Sequence, residues 1–121
     1  MNLLARDNAT VLWRLQVAGS WLDRLRGLIG RRGLAAGDGL YLPGTNGVHM
    51  LFMRFAIDCV FVGAPRADGT RAVVALKPNL APWTGIVWWV RGAHGAIEVP
   101  AGALASSGLR VGDCVTMAPA D

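Results

Sequence analysis

Ile57-Asp58-Cys59-Val60-Phe61-Val62 is a run of β-branched, aromatic and small apolar residues interrupted by one carboxylate. Asp68-Gly69 follows it, and then Arg71-Ala72-Val73-Val74-Ala75-Leu76. Two strand-like segments around an Asp-Gly turn predict a β-hairpin. Residues two apart on a strand share a face, so Asp58 falls beside Val60 and Val62, an apolar setting for a charge. Further towards the N-terminus, Val11, Trp13, Leu15 and Val17 alternate with polar Arg14 and Gln16, the pattern of a half-buried strand. Leu3 to Arg6 is short and apolar. Leu40 to Leu42, Ile86 to Val90, Ala96 to Val99 and Cys114 to Met117 read as further short strands.

Between the first long strand and Leu40, Ser20 offers an N-cap. Trp21, Leu25, Leu28 and Ile29 then recur at helical spacing, which predicts the main helix over Ser20–Gly30. Arg24, Arg26, Arg31 and Arg32 lie on or just after it, and Gly30 and Gly33 help to end it. Lys77 to Trp83 reads as a loop. Pro100 to Ser107 reads as one or two helical turns closed by Gly108, and Gly112-Asp113 as a turn into the last strand.

These elements belong to a chain of 121 residues, enough for one domain. Hydrophobic residues make up 53% and charged residues 17%, with a mean hydropathy of +0.38, which excludes intrinsic disorder. Sixteen glycines and six prolines without a period oppose a helical bundle. Short strands, frequent turns and one real helix define a mainly β fold: a small Greek-key β-sandwich or open β-barrel, with one short helix after the first long strand. No apolar run reaches the roughly 18 residues of a membrane span, and the first residues lack the pattern of a signal peptide. A soluble, cytoplasmic protein without a membrane partner is expected. In that compartment Cys59 and Cys114 are expected to be reduced.

The net charge is +4 and the pI about 10.0. Lys77 is the only lysine, so the basic residues are otherwise arginines, suited to carboxylate or phosphate recognition. No zinc-finger spacing, RNA-binding aromatic signature or basic helix accompanies them, so no specific nucleic-acid partner is expected.

Arg24-Leu25-Arg26-Gly27-Leu28-Ile29-Gly30-Arg31 resembles the Arg-x-x-Gly-Leu-Met-x-Arg signature of the domain-of-unknown-function 192 family. His49-Met50 leading into Ile57-Asp58-Cys59-Val60-Phe61, the Asp68-Gly69 hairpin, Ala96 to Gly102 and Gly108 to Asp113 are similar to further blocks of that family, in the same order. The resemblance spans nearly the whole chain. It implies a compact β-rich barrel or sandwich with a small helix, found in bacteria and archaea and often exported, with no established biochemical function. Many members carry Trp-Met-Lys-Asn-Thr where this chain has His49-Met50-Leu51-Phe52-Met53, so a role for that Lys-Asn pair does not transfer.

Several side chains are candidates for chemistry. A buried Asp58 must be paired, hydrogen-bonded or protonated. Arg24, Arg31 and Arg54 are its natural partners. It either anchors a ligand or ties a helix or loop to the sheet. In an extended segment His49 shares a face with Met53. Two such ligands are too few for a metal site, and the remaining His and Cys show no ligand spacing, so neither metal nor cofactor is expected. Trp88 and Trp89 are consecutive, so in a strand one of them faces away from the core, either to stack on a sugar or base, to pack on another subunit, or to be covered by the chain's own loops. No Ser or Cys stands in a nucleophile motif, Glu98 is the sole glutamate, and Gly27 to Gly30 is too short for a phosphate-binding loop.

The leading expectation is a module binding a small polar or anionic ligand, with His49, Arg54 and Asp58, helped by Arg24 and Tyr41, as the pocket's polar lining. An enzyme using His49 and Asp58 as acid and base is the first alternative. An interaction module using the Arg-rich helix and an exposed Trp is the second. A pocket with converging polar groups, a His–carboxylate contact, or a large exposed apolar patch distinguishes the three.

Overall fold

A computed structural model describes residues 2–4, 10–17, 34–50 and 53–119. The predicted helix Ser20–Gly30 lies outside the described residues, as do Arg24 and Arg31. Nine strands are described: β1 (Asn2–Leu4), β2 (Val11–Val17), β3 (Asp38–Pro43), β4 (Val48–His49), β5 (Ile57–Val62), β6 (Arg71–Leu80), β7 (Ile86–Val87), β8 (Gly95–Pro100) and β9 (Cys114–Ala118). The helix α1 (Ala103–Ser107) is flanked by Gly102 and Gly108, both at positive φ.

The main sheet runs in the order β1-β2-β3-β8-β5-β6-β9 and returns to β1, forming a barrel. The pairing of β6 with β9, at Arg71–Val115 and Ala72–Cys114, completes the circuit. The mainly β expectation holds, in its barrel form. All pairings in it are antiparallel except β2 with β3. A parallel pair needs a long connection, and twenty residues of sequence separate the end of β2 from the start of β3.

Alternation along the strands builds two cores. The barrel interior takes Trp13 and Leu15 from β2, Tyr41 from β3, Val60 and Val62 from β5, Val73 from β6, Ile97 and Val99 from β8, and Val115 from β9, with Leu104 of α1 at one end. The opposite faces of β3, β5 and β8 carry Leu40, Leu42, Ile57, Cys59, Phe61 and Ala96. A second layer covers them, bringing Val48, Met50, Met53 and Val90 onto that face. It contains the two-stranded ladder of β4 and β7, with Val48 opposite Val87 and His49 opposite Ile86. This double burial explains why every residue of β5 is buried although its sequence alternates only weakly.

The hairpin around Asp68-Gly69 forms as its turn chemistry dictates. Gly69 has φ +83°, and Asp68 Oδ1 accepts bonds from the Thr70 N–H at 2.9 Å and the Thr70 hydroxyl at 2.7 Å. Lys77 and Pro78 do not form a loop, because β6 continues to Leu80. Ile57 opposes Leu80 and Cys59 opposes Lys77, so Pro78 and Asn79 together face Asp58 as a bulge. A bulge tolerates a proline, which has no N–H for the ladder. In the other direction, Ile86 to Val90 yields only Ile86–Val87 as strand. Cys59 is buried, Cys114 is half-buried, and neither takes part in a disulfide. Among the described residues no helix is long and apolar enough to cross a membrane.

Candidate functional site

Asp58 is 1% exposed and lies on the interior face of β5, beside Val60 and Val62 in the alternation. Its described partners are backbone amides. Oδ1 accepts the N–H of Asn79 at 2.8 Å, and Oδ2 accepts those of Gly102 and Leu104, each at 3.0 Å. Each bond has a local cause. Asn79 sits in the bulge at φ +55°, a conformation Asn tolerates better than most residues. Gly102 precedes α1 and has no side chain to cap it, so the carboxylate supplies from a distance the acceptor that an N-cap residue normally provides. Of its expected arginine partners, Arg54 is not bonded to it, and Arg24 and Arg31 lie outside the described residues. Asp58 thus ties the β6 bulge and the start of α1 to β5 through backbone amides, and of the expected ion pairs only the one with Arg54 falls among the described residues, where it is not formed.

Tyr41 faces the same interior towards the other end of the barrel. Its ring packs so closely on Gly95 that a Cβ there would come within 2.8 Å of Cε1. The Arg71 guanidinium lies 5.6 Å from the ring centroid, within cation–π range. Arg54 is exposed in the covering layer, between buried Met53 and half-buried Phe55. His49 is exposed on β4, while Met53 is buried, so these two do not share a face. The extended segment needed for that pairing is interrupted after His49. The four described members of the expected pocket lining therefore do not converge. The sheet separates Asp58 and Tyr41 from His49 and Arg54, and with them the two members of the expected acid–base pair.

Two of the recesses lined by described residues bear on the site. The larger, about 600 Å³, lies between Thr10–Trp13, Ala36–Gly37 and Pro100–Ser107. Its described lining includes none of the expected site residues and no charged side chain. Of its hydroxyls, Ser106 donates to the Ala103 carbonyl and Ser107 to that of Leu104, both serving α1. The smaller, about 270 Å³, lies between Thr45–His49 and Ile86–Trp88. His49, Asn46, Thr45 and Trp88 are among the residues that line it.

This second recess is held by close backbone packing. A Cβ on Gly47 would meet the Trp88 and Val87 carbonyls at 2.6 and 2.7 Å, and one on Gly85 would meet the Ala81 carbonyl at 2.7 Å. The N–H of Met50 donates to Gly85, that of Trp83 to Met50, and that of Val90 to Asn46, each bond at 2.7–2.9 Å. Trp83 is held at φ +67°, a conformation that costs a non-glycine residue roughly 1–2 kcal/mol. Between these anchors the side chains point outward: Trp83 is 52% exposed, Ile86 46%, Trp88 84% and Trp89 62%. In a regular strand one of Trp88 and Trp89 would lie against the core. Neither is there, because the segment leaves the strand geometry after Val87.

Glu98 is a functional candidate the sequence reading passed over. It is 0% exposed on β8, on the covered face, opposite Leu40 on one side and Cys59 on the other. Its position amid Ala96, Ile97 and Val99 was the available signal. Among the described residues, no group of three or more His, Cys, Asp or Glu could hold a metal ion.

Two solved structures share this fold. A candidate transcription regulator from Sinorhizobium meliloti 1021 superimposes with a TM-score of 0.75 at 19% identity, covering 94% of this chain and 88% of its own. A protein of unknown function from Novosphingobium aromaticivorans DSM 12444 gives 0.72 at 20% identity, covering 96% and 82%. Identities this low carry the fold alone. No curated protein matches the chain. Residues 3–117, nearly its full length, match the DUF192 family, described as "Uncharacterized ACR", and the chain belongs to that family.

Proposed function

We propose that the protein is a binding module whose recognition site is the recess between Thr45–His49 and Ile86–Trp88, and that its ligand is a small polar molecule bearing a ring. The carrying observation is that His49 and Trp88, far apart in sequence, line one recess on a backbone fixed by hydrogen bonds and by two glycine contacts. An indole face offers stacking area, and an imidazole with the neighbouring Asn46 and Thr45 offers hydrogen bonds, the usual division between shape and orientation in ligand recognition. About 270 Å³ accommodates one ring and little more.

Thermal-shift and tryptophan-fluorescence titrations with a panel of monosaccharides, nucleosides and aromatic carboxylates test this reading. A ligand present at 100 times its Kd stabilises by about 2.7 kcal/mol, a readily measured shift. Trp88→Ala and His49→Ala are each expected to abolish the shift while leaving the unliganded protein folded. A shift that survives both substitutions would place the ligand elsewhere, and a panel without any shift would remove the reading.

A further inference from the structure

We infer that the tryptophan-bearing layer docks on the surface of an anionic lipid bilayer. Trp83, Ile86, Trp88 and Trp89 stand 46–84% exposed within seven residues. Exposed large apolar groups concentrated in this way mark an interaction surface. The backbone bonds and glycine contacts that fix the segment show that the exposure is built into the fold.

Charge identifies the occupant. Residues 43–56 and 77–94, which supply the covering layer and its approaches, contain no aspartate or glutamate. Their charged residues are Arg54, Lys77 and Arg91, all exposed, with His49 and His94 exposed as well. Lys77 is opposite Cys59, so it projects on the covered side of the sheet. The one exposed acid between these stretches, Asp68, is at a hairpin turn and bonded to Thr70.

A face combining indoles, an aliphatic side chain and cations, without carboxylates, complements the headgroup region of an anionic bilayer. There the indoles sit at the polar–apolar boundary and the cations meet lipid phosphates. A second copy of this chain fits less well, because it would bring two cationic rims together. A nucleic acid would need more phosphate contacts than three cations around an apolar strip supply. Lying on a membrane requires no spanning segment, so the absence of a long apolar run, which led to the expectation of no membrane partner, does not bear on this mode. The inference uses the whole strip and does not depend on the small-ligand recess.

Co-sedimentation with phosphatidylglycerol-containing vesicles, against vesicles of phosphatidylcholine alone, provides the test. The expected result is binding to the anionic vesicles only, weakened by salt, with blue-shifted tryptophan emission and quenching by brominated acyl chains. Removing Arg54, Lys77 or Arg91 as glutamine is expected to weaken binding about fivefold each. Trp83→Ser with Trp89→Ser should abolish the emission shift while sparing any soluble-ligand response at Trp88, which separates the two proposals. Quenching by brominated lipid is read on the unmodified protein and needs no variant. Absence of vesicle binding, binding without a blue shift or quenching, or capture of an acidic peptide or single-stranded oligonucleotide in place of vesicles would each overturn the inference.

Discussion

Asp58 is a carboxylate with 1% of its surface exposed, whereas Trp88 is an indole with 84% exposed. Residue type alone assigns each to the other's environment. At the α1 end of the barrel, three amides that the fold leaves without ladder partners surround the carboxylate, and the charge completes the architecture there. On the covering layer, main-chain bonds among Asn46, Met50, Gly85 and Val90 and the buried Met50 and Val90 side chains hold the segment, and the indoles of Trp88 and Trp89 stand largely in solvent. Backbone demand thus separates a structural polar residue from a displayed apolar one. A buried carboxylate whose described hydrogen bonds go to the chain's own backbone serves stability. An exposed aromatic on a backbone that satisfies itself is available for a partner.

The largest expected effect breaks the Asp58 side of this contrast. Asp58→Ala leaves three amides without their acceptor and should destabilise by about 3–4 kcal/mol, allowing for non-additivity. Urea denaturation measures it, and a loss under about 1 kcal/mol would mean that water replaces the carboxylate easily. Asp58→Asn sharpens the point. It keeps one carbonyl oxygen but turns an NH2 group towards an amide donor, so a smaller loss of about 1–3 kcal/mol is expected.

Next comes the support beneath the indoles. Gly47→Ala drives a methyl into two backbone carbonyls that cannot rotate away. Overpacking of this kind costs about 1–3 kcal/mol. Hydrogen exchange at Met50 and Val90 should accelerate selectively in this variant, whereas the barrel amides of β5 and β8 stay protected.

Smaller still, Trp88→Ala and Trp89→Ala should each change stability by no more than about 0.5 kcal/mol, since these side chains are largely exposed. A loss comparable to that of Asp58→Ala would show that the indoles pack in solution, and the contrast would collapse. The smallest effect concerns Asp68. The Thr70 hydroxyl, then the Thr70 N–H and the charge of Arg66, hold its carboxyl below the ordinary value of 3.8. A lowered folded-state value means that its contribution to stability is present above the usual carboxylate range and fades as pH falls through the lowered value. In an NMR titration, Thr70→Ala should move the Asp68 midpoint back towards the ordinary value.

Much of the fold was legible because it depends on local rules. The Asp68-Gly69 turn, the alternation of Val11–Val17, the limits of Ile57–Val62 and the helical turn ending at Gly108 all follow from neighbouring residues. The extent of β6 was not legible, since a proline normally stops a strand and only the bulge opposite Asp58 accommodates it. The recess was half legible. His49 and the tryptophan pair stood out as residue types, but the ladder that joins them is two residues long on each side and leaves no periodic trace.

The sequence by itself determined a mainly β fold, its turns, and the burial of Asp58, because strand period and turn chemistry are properties of adjacent residues. Only the tertiary structure decided which partners Asp58 has, that Glu98 lies under a second layer, and that Trp88 and Trp89 both face solvent. Those outcomes depend on which distant segments cover which face of a sheet. An apolar run reads the same whether one face is covered or two, and the same again where its indoles are left in water.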